Sequence, residues 1–207
     1  LALWKNFTVL LEKIKIYFLM RVKGSIVIII AFVLSCTTTN YKEIALTNPE
    51  KLIKMQDSLD NIKDPNFSEA LIMVFNSRGL KEMEKQNYNE ALKYFHKSQK
   101  LSQSDSVSKY SLLMASAFQK FSSGKKEVLW DAIQSFYKAS NIYPLNGEPH
   151  YYIGETYLKL GDKDFDLIID SYDKALSLNL TESLEEKVKI SKQEALRRRD
   201  LLKNFWK

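Results

Sequence analysis

Cysteine is all but absent from this 207-residue chain, with Cys36 standing alone. A disulfide framework is excluded, and so is any Cys-x-x-Cys redox or metal motif. Histidine is nearly as scarce. His96 and His150 are the only two, and neither has a ligand-type residue three or four positions away, so no zinc site is expected. Six glycines and four prolines are too few for a chain of many strands and turns, which argues against an all-β fold. There is no glycine-rich phosphate loop and no G-x-S-x-G, and no residue pattern of an enzyme emerges. No apolar run reaches the roughly 20 residues of a spanning helix; Gly24–Ser35 is about a dozen.

Strong net charge is also missing from most of the chain. The formal +6 is concentrated at the start, where Lys5, Lys13, Lys15, Arg21 and Lys23 face Glu12 alone. Residues 36–207 hold 26 basic and 24 acidic residues, close to +2. A nucleic-acid partner is not expected from so balanced a chain.

What the chain does have begins with the surroundings of Cys36. Arg21 and Lys23 precede the apolar run, and the small residue Ser35 precedes the cysteine. A basic segment, a short apolar segment and a small residue before the cut are the parts of a secretory signal. Thr37, Thr38, Thr39 and Asn40 follow. Val33-Leu34-Ser35-Cys36 resembles the lipobox of bacterial lipoproteins. The resemblance implies cleavage between Ser35 and Cys36, a thioether-linked diacylglycerol on the sulfur, and an acyl chain such as palmitate on the new N-terminus. It also implies a cell-envelope location on the outer side of a bacterial membrane. Thiol nucleophilicity explains why the modified residue is a cysteine. Met20 directly precedes Arg21, so residues 1–19 are read as an upstream extension, 20–35 as the signal peptide and 36–47 as an extended, lipid-anchored tether.

Residues 48–207 carry a repeat. Gly79, Ala91, Phe95 and Ser98 lie in the first copy; Ala132, Phe136, Ala139 and Pro144 in the second; Gly154, Tyr157, Tyr172 and Ala175 in the third. These resemble tetratricopeptide repeats, in which small residues let two antiparallel helices approach and an aromatic fills the space beside them. Ala117 stands where the second copy lacks its glycine, and Ile168 stands where a small residue is usual. The expected fold is all-α: a solenoid of about three helical hairpins (72–105, 110–144, 147–180). A flanking helix starts at Asn48-Pro49, and a long capping helix covers 182–205. On that capping helix Leu184, Val188, Ala195, Leu201, Leu202 and Phe205 form the expected packing stripe. Arg197, Arg198 and Arg199 read as a solvated face more readily than as an anionic-lipid patch.

Arrays of this kind bind extended peptides or helices along a face lined by the first helix of each pair. The matching positions are Met73, Asn76, Leu80 and Met83, then Ser111, Met114 and Phe118, then Tyr151, Glu155 and Leu158. The predicted groove is apolar and rich in methionine. It is read equally as a surface that the terminal helices fill. The function expected is a membrane-anchored scaffold or adaptor for an envelope protein or peptide, with no cofactor beyond the lipid on Cys36 and no metal. Two alternatives stand beside it: an apolar-solute binder partnering a transporter, and an accessory subunit of an outer-membrane protein assembly machine.

Overall fold

A computed structural model describes residues 39–59, 64–161 and 164–205. Within them the chain forms nine helices and no strand. They are α1 (Tyr41–Thr47), α2 (Pro49–Leu59), α3 (Pro65–Glu84), α4 (Tyr88–Leu101), α5 (Ser106–Ser123), α6 (Lys126–Ser140), α7 (Glu148–Leu160), α8 (Phe165–Leu176) and α9 (Glu182–Phe205). From α3 onward each packs mainly on its chain neighbours, while α1 packs mainly on α3. The pairs α3–α4, α5–α6 and α7–α8 make hairpins, α4–α5 and α6–α7 join them, and α9 closes on α8.

Local chemistry sets the helix ends. Asp64 accepts a hydrogen bond from the Asn66 amide, and Pro65 opens α3 with its fixed φ. Asp105 caps α5 through the Ser108 amide at 2.7 Å. Gly124 ends α5 in the left-handed region, at φ 67°. Asn48 caps α2, accepting from the Lys51 amide at 3.2 Å.

Each hairpin is drawn together by a small residue on its first helix and a ring on its second. A Cβ built on Gly79 would lie 2.5 Å from the Phe95 ring, and one on Gly154 would lie 2.5 Å from that of Tyr172. Ala117 and Phe136 share one buried cluster in the middle hairpin. Phe95, Phe136 and Tyr172 are all fully buried, as are Ala91, Ala132, Ala139 and Ala175. Burying each ring is worth roughly 1.5–3 kcal/mol. The apolar interior is a series of clusters strung along the hairpins, each shared between neighbours.

Two expectations are corrected. Residues 41–47 are not extended: they form α1, because Tyr41, Ile44 and Ala45 fall on one helical stripe and pack beside Phe67 and Leu71 of α3. The Tyr41 and Phe67 rings meet edge to face at 5.2 Å. The apolar stripe of α9 is also only partly used. Leu184, Val188 and Ala195 pack on α8, whereas Leu201, Leu202 and Phe205 are exposed. The reason is length. The 24 residues of α9 span about 36 Å and the 12 of α8 about 18 Å, so the distal turns of α9 outrun their support.

Candidate functional site

The residues predicted to line a groove divide into three groups. Asn76, Ser111, Met114 and Phe118 are buried, which corrects the expectation that they form an open surface. Phe118 explains it. Its ring lies 4.6 Å from Tyr152 of α7, 5.4 Å from Phe136 of α6 and 5.7 Å from Tyr88 of α4. One aromatic nucleus therefore ties three hairpins where a groove was expected, and edge-to-face pairs of this kind add about 0.5–1.5 kcal/mol each. Tyr151, Glu155 and Leu158 form the second group. They are half-buried, and Tyr151 and Leu158 pack with Leu184, Val188 and Leu196 of α9. The Tyr172 hydroxyl donates to Glu155 Oε1 at 2.7 Å. The capping helix thus occupies the third hairpin's share of the surface.

Met73, Leu80 and Met83 of α3 remain. Met73 is 37% exposed and Leu80 is 45% exposed; Met83 is half-buried against two clusters. Met73 lines an open cavity of about 490 Å³ in the crook between α1–α2 and α3, together with Leu46, Arg78, Lys81, Lys85 and Tyr94. Arg78 pairs with Glu50 and lies 5.8 Å from the centre of the Tyr94 ring. Lys85 pairs with Glu82 at 2.7 Å, while Lys81 has no ion pair among the described residues. Exposed pairs of this kind contribute about 0–1 kcal/mol and exchange readily with a competing carboxylate. Glu50 and Glu82 line the same cavity, so Lys81 is the cation in excess, and apolar Met73 and Leu46 beside it suit a segment that mixes apolar and acidic side chains.

Two polar sites were not legible as sites. In the first, the Asn76 side-chain amide donates to Asp105 Oδ2 at 3.0 Å, joining α3 to the cap of α5. Burial works to raise the Asp105 carboxyl, but hydrogen bonds from Asn76 and Ser108 outweigh it and hold it below its ordinary value. Asn76 Oδ1 is buried without a partner among the described residues. The second centres on Glu148, at the start of α7. Tyr110 Oη donates to Glu148 Oε2 at 3.3 Å, and Asn146 Nδ2 donates to Tyr110 Oη at 2.9 Å. Burial raises the Glu148 carboxyl above its ordinary 4.5, with the Tyr110 hydroxyl acting weakly the other way. Tyr110 and Glu148 stand 38 residues apart, each near the start of a hairpin's first helix, so the repeat register held the signal that would have paired them.

His96 is exposed. His150 is half-buried with its ring 6.3 Å from that of Tyr137, and burial followed by the charge of Lys174 lowers its pKa. Among the described residues no group of His, Cys, Asp or Glu is arranged to hold a metal, and no helix is long and apolar enough to cross a membrane. Ser35 and Cys36, the expected cleavage and lipidation residues, lie outside the described residues. A scan against protein-family models finds no match, nor does a search of the curated proteins.

Proposed function

We propose that this chain is a lipid-anchored scaffold of the tetratricopeptide type, held by an acylated Cys36 on the outer side of a bacterial membrane. Its partner is an envelope protein that docks on α3. The observation that carries the scaffold reading is the pair of hairpin seams, Gly79 under Phe95 and Gly154 under Tyr172, which fit the small-against-aromatic pairing of such repeats. The docking surface is the part of the groove left uncovered, with Met73 beside Arg78 and Lys81 at the cavity and exposed Leu80 on the same helix. A partner segment with apolar residues and carboxylates matches it. The apolar run Gly24–Ser35, too short to span, supports a cleaved signal in front of Cys36.

Two measurements test the parts separately. Cys36→Ala removes the acylated sulfur, so the protein is expected in the soluble fraction after cell breakage; retention in membranes would overturn the anchor. A photo-crosslinking residue at Leu80 is expected to trap an envelope protein, and Met73→Asp is expected to reduce that product about tenfold or more. Both side chains are exposed, so the melting temperature should hold. A crosslink that survives Met73→Asp unchanged would remove α3 as the docking surface.

A further inference from the structure

Glu148 lies at the edge of an open cavity of about 570 Å³ between the loops before α7 and before α9. Tyr143, Leu145, Asn146, Glu148, Asn179, Leu180, Thr181 and Leu184 form its wall, and none of them is a cation. Glu148 accepts from Tyr110 through Oε2 alone; Oε1 has no hydrogen-bond partner among the described residues. A half-buried carboxylate without a counter-ion carries a desolvation cost, and a cation beside it reduces that cost. The N-terminus of α7 offsets part of it through the helix dipole, yet burial still dominates the carboxyl's shift.

The cavity wall is built in advance. The Gly147 amide donates to the Asn179 carbonyl at 2.9 Å, and the Asn179 amide donates to the Leu145 carbonyl at 2.8 Å, locking the two loops side by side. Gly147 permits the approach, because a Cβ there would fall 2.4 Å from the Ala175 carbonyl oxygen. The cavity wall therefore combines a carboxylate without a counter-ion, three leucines and the neutral polar side chains of Asn146, Asn179 and Thr181. A single open carboxylate oxygen suits a point-charge ammonium better than a guanidinium, whose fork wants two.

We propose that this cavity binds an alkylammonium group, with the nitrogen on Glu148 and the alkyl stem along Leu145, Leu180 and Leu184. The group comes either from a free primary amine or from a lysine side chain of a docked protein. The site stands apart from the α3 surface and does not depend on it.

The test is an NMR titration of the full-length protein with two probes, n-pentylammonium chloride and the blocked peptide acetyl-Gly-Lys-Gly-amide, reading the backbone amides of Asn179 and Leu180. Saturable shifts are expected with at least one probe. The amine alone binding points to a free solute, and binding of the peptide at comparable strength points to a lysine side chain. Glu148→Gln keeps the size and the acceptor for Tyr110, and should weaken binding about tenfold or more. Leu145→Lys, at a position 69% exposed and therefore tolerant, places a competing ammonium at the rim and should weaken it as well. Neutral n-pentanol should bind far more weakly than the amine. The proposal is overturned if neither cationic probe shifts these amides, if n-pentanol binds as well as the amine, or if both variants bind like the parent.

Discussion

Three glycines show at single-residue scale how the helices are allowed to meet. At Gly79 and Gly154 the obstacle to a side chain is an aromatic ring; at Gly147 it is the backbone carbonyl of Ala175. The difference decides what a methyl group does. Phe95 is fully buried and has little room to retreat, so Gly79→Ala is expected to destabilise the fold by about 1–3 kcal/mol in urea unfolding. Gly147→Ala meets an atom that cannot rotate away and should cost more than Gly79→Ala. The reverse order would mean that the loop before α7 yields more easily than the core. Adding Phe95→Leu to Gly79→Ala relieves the contact, so the double variant should lose less than the two single losses together; strict additivity would show that the ring and the glycine do not meet.

At the scale of helices, the division of α9 into a packed and an overhanging part has a direct consequence. Ending the chain after Asp200 removes Leu201, Leu202 and Phe205, which are exposed, and should leave the melting temperature nearly unchanged. Ending it after Thr181 uncovers Phe165, Ile168, Ile169 and Tyr172. It should cost on the order of 3–5 kcal/mol, read as an earlier thermal transition by circular dichroism. Equal behaviour of the two truncations would show that α9 does not cap α8. The hairpins themselves were legible because Gly79, Phe95, Gly154 and Tyr172 recur at spacings that only two crossing helices explain. The state of the groove was not legible for the same physical reason that it is closed. Phe118 is buried by Tyr88 and Tyr152, residues 30 and 34 positions away in chain, and no helical period reports contacts between hairpins. Asn76 reads in the sequence as a surface amide, yet its partner Asp105 is the cap of the next hairpin. The α1 helix escaped notice because seven residues make a weak periodic signal, and packing on Phe67 rather than propensity holds it.

Across the described residues, buried tyrosines fasten successive layers together, two of them through hydrogen bonds, and they make the assembly sensitive to alkali. Tyr110 reaches from α5 to Asn146 and Glu148, Tyr152 sits among Phe118, Phe136 and Tyr151, and Tyr172 links α8 to Glu155 of α7. Burial raises all three phenols above their ordinary value of 10.0, the neighbouring carboxylates add to the shift, and Tyr152 is pushed up to about 12. In the unfolded chain each phenol loses its proton near 10, whereas in the folded chain it keeps the proton well beyond that. The unfolded state therefore holds fewer protons above pH 10, so stability falls as pH rises. Below about pH 10 the contribution is fully present, and it is lost as pH climbs through the raised folded values, beginning with Tyr152 near 12. Thermal melts should show a falling transition temperature across this range, and the last part of the tyrosinate absorbance, that of the buried rings, should grow in step with loss of helix. Complete ionisation of the tyrosines while the helical signal persists would mean that water reaches these rings and that the layers are fastened by aliphatic packing alone. With Tyr110→Phe the alkaline loss should shrink, because one of the phenols that must ionise is gone. Its neutral-pH stability should drop by about 0.5–1.5 kcal/mol for the hydrogen bonds forfeited at Asn146 and Glu148.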